Sequence, residues 1–533
     1  MPTLNWIGKD AVINHHLEVP FHLLKDVPEL ACGDPGSGNL IVEGDNLVAL
    51  KALLPYYKGK VKCICIDPPY NTGSEGWTYN DNVNSPAIRK WIGDTVGEEG
   101  ETLDRHDRWL CMMYPRLALL RDFLSEDGSI WVCLDDNEVH ALRYVMDELF
   151  GTANFVSSFA WEKDQGRRGD TDVSSSHDHI ILYAKDRNVW RKTRNLLPRT
   201  AAQESRYRNP DNDPRGPWLQ GDNGTAKSGS EGARFPITLP SGREVVPPSG
   251  NFWRFSKENF EAARAEGRAY FGKKGNSMPI IKRYLTEVQQ GVVPRTWWPA
   301  SEVGTNQDAK RDHLRKLLPD ITPFATPKPE PLIERMLAIS TKHGDMVLDS
   351  FLGSGTSAAV AHKMGRKWIG VEMEGHSESH CVPRLRKVVN GEDSGGVTAS
   401  NSWKGGGGFR YVRLGDALFD EHGRINESKV RFADLARHVY FSETGEPLPK
   451  ERISAKTPLL GVHHGRAVYL LYNGILKDKS VDGGNVLTTA TLEHLPAHEG
   501  PKVVYAAGCR FSKARLEREG ITFKQTPYAI RTR

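Results

Sequence analysis

No Cys-x-x-Cys pair occurs among the seven cysteines at positions 32, 63, 65, 111, 133, 381 and 509. That spacing excludes a zinc ribbon or a disulfide framework and implies reduced, buried thiols, with no metal site expected. Long apolar runs are also missing. Lys9 and Asp10 break the amino-terminal stretch before an apolar core can build, and nothing approaches the roughly 20 residues a membrane helix needs. The expectation is a cytoplasmic protein without a signal peptide. A Gly-x-x-x-x-Gly-Lys-Ser/Thr loop is absent, which removes the usual cradle of a nucleotide-driven motor. So is any Pro-Cys pair, the usual setting of a cysteine that attacks a base carbon. Overall charge is modest, +4 over 533 residues, with 38% apolar and 26% charged residues. This is a globular composition, long enough for about three domains.

The charge is unevenly spread. Residues 187–300 carry 20 Lys and Arg against 10 Asp and Glu, so the rest of the chain is net acidic. Arg206, Arg208, Arg215, Arg234, Arg243, Lys273, Lys274, Lys282 and Arg283 alternate there with Tyr207, Trp218, Phe235, Phe252, Trp253 and Tyr270. Cations interleaved with aromatics suit a polyanion, the cations neutralising phosphates and the rings stacking on bases, whereas a merely solvated insertion is the plainer alternative.

Asp67-Pro68-Pro69-Tyr70 ends the alternating apolar run of Val61, Cys63 and Cys65 and is followed by Asn71-Thr72-Gly73. This predicts a buried strand stopped by a stiff turn. Two prolines remove two N–H donors, so the turn offers acceptors only, the Asp67 carboxylate and the Pro68 carbonyl. Two acceptors on the N–H bonds of a nucleobase amino group push its nitrogen toward a reactive tetrahedral geometry, and Tyr70 can stack on an extruded base. A second stretch, Met346 to Asp349, predicts another buried strand. Ser350-Phe351-Leu352-Gly353-Ser354-Gly355-Thr356 then turns into an apolar helix, and a strand from Trp368 to Val371 ends at Glu372. Strand, glycine turn, helix and an acidic residue about twenty positions on is nucleoside-binding logic, and the incomplete phosphate cradle suits an adenosyl ligand without phosphates.

These blocks, with Glu43 to Leu47, Tyr79-Asn80-Asp81, Met113 to Leu117, Asp135 to Glu138 and Thr326-Pro327-Lys328-Pro329, resemble the β class of amino-methylating DNA methyltransferases. The similarity is greatest to the modification subunit of type III restriction–modification systems and extends to the run from Tyr505 to Ile530. In that family the catalytic motif precedes the glycine motif, a circular permutation. The resemblance implies a Rossmann-like, doubly wound, mainly parallel α/β sheet that transfers methyl from S-adenosyl-L-methionine to the N6 amino group of adenine in double-stranded DNA by base flipping and in-line transfer. It implies catalytic roles for Asp67, Pro68, Pro69 and Tyr70. It implies cofactor contacts from Asp45, Lys328, Asp349, Phe351, Gly353, Ser354, Gly355, Thr356 and Glu372. A homodimer and a separate restriction subunit are its possible partners. Leu352 departs from the family, which more often has a small residue there. Asp45 also reads as a simple helix cap. A cytosine-N4 methyltransferase, which more often begins its turn with Ser, and a non-catalytic DNA-binding module remain as alternatives.

The expected organisation is an amino-terminal arm (1–38), a catalytic half (39–186), a target-recognition insertion (187–300), a cofactor-binding half (301–400) and, after the linker Gly405 to Gly408, a carboxy-terminal domain (401–533). Residues 74–103 read as a polar lid. His177 and His179 lack a third clustered ligand in the sequence, which argues against a metal. Gly353 and Asp67 are expected on adjacent strands, since ligands of such sheets bind at the carboxyl ends of neighbouring strands.

Overall fold

A computed structural model describes residues 3–72, 105–167, 171–219, 224–322, 324–373, 375–418, 430–446, 448–454, 457–471 and 484–526. The expected lid at 74–103, Tyr79-Asn80-Asp81 and the last residues of the Tyr505 to Ile530 run lie outside them. The chain divides into two compact units, one of residues 1–195 with 295–533 and the other of residues 196–294.

The first unit is built on one twisted sheet. Its strands are β1 (His22–Asp26), β2 (Leu40–Glu43), β3 (Val61–Ile66), β4 (Leu124–Leu134), β5 (Phe155–Glu162), β6 (His177–Ala184), β7 (Trp297–Trp298), β8 (Met346–Asp349), β9 (Lys367–Glu372) and β10 (Gly408–Ala417). Their spatial order is β1-β10-β2-β9-β8-β3-β4-β6-β5-β7, and every neighbouring pair from β10 to β4 is parallel. Parallel strands buried on both faces read as continuous apolar runs. That is the pattern of β3, where only Lys62 escapes burial. Helices α1 (Asn46–Tyr57), α2 (Arg105–Phe123), α3 (Val139–Phe150), α4 (Glu330–Ser340), α5 (Thr356–Lys363), α6 (Val382–Asn390) and α7 (Phe432–Thr444) flank the sheet. The order places β8 and β9, from late in the chain, between β2 and β3. Register pairs Val347 with Cys63 and Leu348 with Ile64, so the strand before Gly353 is hydrogen-bonded to the strand before Asp67. The doubly wound, mainly parallel, permuted sheet is the observed fold.

Several local expectations change. The arm is packed rather than loose: Val12, Val19 and Phe21 are buried, β1 pairs with β10, and Lys51 donates to the carbonyls of His16 and Leu17 at 2.9 and 3.0 Å. Gly405 to Gly408 is no flexible linker. A Cβ on Gly408 meets Asp34 N at 2.2 Å, and one on Gly33 meets Gly407 O at the same distance, so glycine lets two backbones touch as β10 enters the sheet. By contacts, residues 401–533 belong to the first unit. Within them β11 (Leu459–His463), β12 (Arg466–Leu470), β13 (Lys502–Ala506) and β14 (Ile521–Gln525) form a separate small sheet. Helix α1 runs two residues past Pro55, with Lys58 N bonded to Leu54 O at 3.1 Å. Asp136 accepts from His179 Nε2 at 2.8 Å, and Glu138 holds the N-cap position of α3.

The unit of residues 196–294 is narrower than the expected 187–300, because Arg187–Thr193 packs as a helix on β4 and β6 and Trp297–Trp298 is the sheet's edge strand. It is made of two-residue strands around a small core of Ile237, Leu239, Val245, Trp253, Phe260 and Phe271. Asp213 lies 7% exposed at its polar centre, accepting from Arg215 Nε at 2.9 Å, Lys282 Nζ at 2.6 Å and Tyr284 Oη at 2.6 Å. The Arg215 guanidinium chiefly, with Lys282 and Tyr284, holds that carboxyl far below the usual range. Two of the cations expected to face a polyanion are thus used internally, and Trp218 and Trp253 are core residues. Arg206, Arg208, Arg243, Lys273, Lys274 and Arg283 are exposed and make no ion pair among the described residues.

Candidate functional site

The two motifs open into one cavity of about 430 Å³, whose wall includes Asp67 to Tyr70, Lys328, Asp349 and residues 351–354 and 356. On the β3 side, Pro68 and Pro69 end the ladder because neither can donate to it. Trp109 of α2 donates Nε1 to Pro69 O at 2.7 Å, which fixes the turn from below. Asn71 adopts a left-handed φ of 57° and donates Nδ2 to the Arg105 carbonyl at 3.0 Å and to the buried Glu138 carboxylate. Tyr70 is half-buried and donates its hydroxyl to Asp178 Oδ2 at 3.3 Å. Burial, with the nearby Asp178 and Asp67 charges, raises its phenol well above the ordinary range.

Lys328 provides the link between the two sides. Its ammonium is 2.5 Å from Asp67 Oδ2 and 5.0 Å from the Tyr70 ring centre. The side chain is only 7% exposed. Burial alone lowers a lysine, but the Asp67 charge, with Cys133 and Asp178, outweighs it and the ammonium is held above its usual range. Asp67 thereby faces the cavity as the partner of a fixed cation.

On the β8 side, Asp349 accepts from Phe351 N at 2.9 Å and from Ser357 Oγ at 2.5 Å. Burial nevertheless pushes its carboxyl from 3.8 up to about 7. Gly353 and Gly355 have φ of 54° and 76°, conformations costly for any residue with a Cβ. Gly353 N donates to Glu372 Oε2 at 2.6 Å. Leu352 packs directly on β9, where a Cβ on Gly370 would approach its Cδ2 to 2.5 Å. The unusual Leu352 is therefore matched by a glycine on the neighbouring strand.

Three expected contacts lie off the cavity wall. Asp45 caps α1, accepting from Leu47 N and Val48 N at 2.9 and 3.1 Å and from Arg116 Nη2 at 2.8 Å, which is the helix-cap alternative. Gly355 and Glu372 sit behind the glycine turn. Several wall residues were assigned no site role from the sequence: Cys65, Cys133, Asp135, Lys163, Asp178 and Asn306. Arg384 of α6 lies behind the same turn. It is 1% exposed and donates Nη1 to Ser354 O at 3.1 Å and Thr356 Oγ1 at 2.7 Å, and Nη2 to Glu330 Oε1 at 2.8 Å. Lys363 bridges Glu330 and Asp393 at 2.7 Å each, so the cluster of His313, Glu330 and Asp393 already contains its own cations. Asp136 supplies beside His177 and His179 the third metal-type ligand that the sequence did not show, and it is hydrogen-bonded to His179.

A nucleoside-type glycine turn and an acceptor-only Pro-Pro turn thus end adjacent strands of a doubly wound sheet and share one cavity, the place where such α/β proteins bind ligands. The profile of a family described as DNA methylase matches residues 61–380, and the chain belongs to that family. Curated relatives include a probable type III restriction-modification enzyme HindVI Mod subunit of Haemophilus influenzae, 30% identical over 461 residues, covering 75% of this chain and 58% of that protein. The type III StyLTI Mod subunit of Salmonella typhimurium is 32% identical over 332 residues, 60% of this chain and 49% of the relative. The EcoP15I Mod subunit of Escherichia coli is 28% identical over 409 residues, 68% and 62% respectively. The chain thus spans between about half and just under two thirds of the length of these relatives. Among the described residues no helix is long and apolar enough to cross a membrane.

Proposed function

We propose that the protein is a site-specific DNA methyltransferase that methylates the N6 amino group of adenine in duplex DNA, with S-adenosyl-L-methionine as methyl donor. The observation that carries this reading is the pairing of β3 with β8, which brings Asp67 and Gly353 to one cavity. The residues present suit the cofactor: the left-handed Gly353 leaves room for a close ligand, and the buried carboxyl of Asp349 suits a cationic amino-acid end. Phe351, Ser354 and Thr356 complete that side, with Glu372 behind them. When bound, the cofactor supplies an electrophilic methyl on a sulfonium. Asp67 and the Pro68 carbonyl accept the two N–H bonds of the extruded base's amino group and align its nitrogen. Tyr70 carries the base face, and Lys328 holds the Asp67 carboxylate ionised. Positioning and polarisation together lower the barrier, with no covalent intermediate. The unit of residues 196–294, with its exposed Arg206, Arg208 and Arg283, binds the DNA around the target.

By likeness to the Mod subunits, a separate restriction subunit and a second copy of the chain are the protein partners. The deciding experiment is incubation of unmethylated DNA with the protein and methyl-labelled S-adenosyl-L-methionine, followed by digestion to nucleosides. N6-methyl-2′-deoxyadenosine is the expected label. Label in N4-methyl-2′-deoxycytidine would replace adenine by cytosine in this reading, and DNA binding without label would leave a non-catalytic module.

A further inference from the structure

The charged side chains of the cavity wall are already engaged. Asp67 pairs with Lys328 at 2.5 Å, Lys163 with Asp178 at 2.5 Å, Asp135 accepts from Asn137 Nδ2 at 2.7 Å, and Asp349 accepts from Ser357. Asn306 differs. Its carboxamide oxygen is buried and has no hydrogen-bond partner among the described residues, although the residue lines the cavity. A buried, unmatched amide group is costly and calls for an explanation, a ligand being one.

Its backbone is fixed on several sides. Ala300 N donates to Glu162 Oε2 at 2.7 Å, Trp161 Nε1 to Gly304 O at 2.9 Å, Asn306 N to Lys163 O at 3.2 Å, and Thr305 N to Asp308 Oδ2 at 2.7 Å. Gly304, at φ 76°, lets this segment close against Pro329, where a Cβ would find Pro329 Cβ at 3.1 Å. The carboxamide is therefore held between the end of β5 and the Thr326 to Pro329 stretch. Lys163 and Asp178 then connect it to Tyr70, the expected base platform.

We infer that Asn306 is a specificity residue that hydrogen-bonds the ring edge of the extruded adenine while Asp67 and Pro68 hold its amino group. This rests on the adenine reading above. Beyond its amino group adenine offers only acceptors, N1, N3 and N7, so a reader must donate. The carboxamide supplies such a donor at Nδ2, the end of the group opposite the buried Oδ1.

The test uses the full-length protein and an oligonucleotide bearing its mapped site, with the target adenine replaced in turn by 1-deaza-, 3-deaza- and 7-deazaadenine. One analogue is expected to lower kcat/KM of the unmutated protein by roughly tenfold to a hundredfold. Asn306→Ala and the isosteric Asn306→Asp lose a similar factor on natural adenine, with unchanged melting temperature and cofactor affinity by calorimetry. In Asn306→Ala the sensitive analogue then adds no further loss. Full activity of Asn306→Ala overturns the inference, and so does a variant on which every analogue still exacts its whole penalty, because Asn306 would then act only on structure. If the unmutated protein methylates cytosine or nothing, the adenine reading fails and takes this inference with it. If it methylates adenine with no coupling to Asn306, the inference alone fails.

Discussion

In the proposed reading the Asp67 carboxylate serves two purposes, accepting from a base and neutralising the buried Lys328 ammonium that lies 2.5 Å from it. Asp67→Ala is therefore expected to abolish methyl transfer and also to destabilise the fold by about 3 kcal/mol, because it leaves a buried cation unpaired. Lys328→Met in the same chain should restore stability in chemical denaturation without restoring single-turnover methylation. Active Asp67→Ala would remove it from the catalytic role. Tyr70 separates in the same way. Tyr70→Phe gives up the hydroxyl, with its 3.3 Å bond to Asp178, but keeps the ring and should keep most activity, whereas Tyr70→Ala should lose base stacking and roughly tenfold to a hundredfold in rate. Equal losses in both would mean that the hydroxyl, not the ring, matters. For Asp349, burial raises the folded carboxyl from 3.8 to about 7. Its contribution to stability is thus present below about pH 4 and lost as pH rises through 7. A cationic ligand beside it favours the carboxylate, so cofactor binding should release a proton and tighten between pH 6 and 8. Calorimetry in two buffers of different ionisation enthalpy measures that proton, and its absence would place the cofactor's charge away from Asp349.

Between elements, the contact of the glycine turn with β9 is the most exacting. Gly370→Ala sets a Cβ 2.5 Å from Leu352 Cδ2 and should cost about 1–3 kcal/mol and weaken cofactor binding. Adding Leu352→Ala should recover much of the stability, and a double variant no better than the single one would show the strain lies elsewhere. Arg384 braces the same turn from α6 while pairing with Glu330 at the start of α4. These elements show where sequence reading works and where it stops. The Val61 to Cys65 run and the Met346 to Asp349 run were legible as strands because interior parallel strands are apolar on both faces. Arg384 was not, because a buried arginine and an exposed one look alike in an amphipathic helix. Gly405 to Gly408 was misread as a linker, since glycines that permit close backbone approach and glycines that permit flexibility carry the same letter.

For the whole molecule, the unit of residues 196–294 begins and ends side by side, with Leu197 N and O bonded to Val292 at 3.0 and 2.8 Å. Replacing it with a short linker should leave cofactor affinity intact and abolish DNA retention in a gel-shift assay at moderate salt. Undiminished DNA binding would move recognition to the other unit. Composition alone had marked this stretch as cationic, yet it could not tell which cations are available: Asp213 withdraws Arg215 and Lys282, the latter 69 positions away along the chain.

By itself the amino-acid sequence determined the strand-and-turn character of the two motifs, their acceptor-only and glycine-rich chemistry and the position of a basic insertion. All of these are local, set by proline's missing donor, glycine's freedom of φ and the period of apolar residues. Only the tertiary structure decided that Lys328 reaches Asp67, that Asp45 is spent on capping α1, that Leu352 is answered by Gly370, and that Asp178, Arg384 and Asn306 belong at the site. Each of those depends on a partner brought near by sheet order and helix packing, and distance across a fold leaves no periodic trace along the chain.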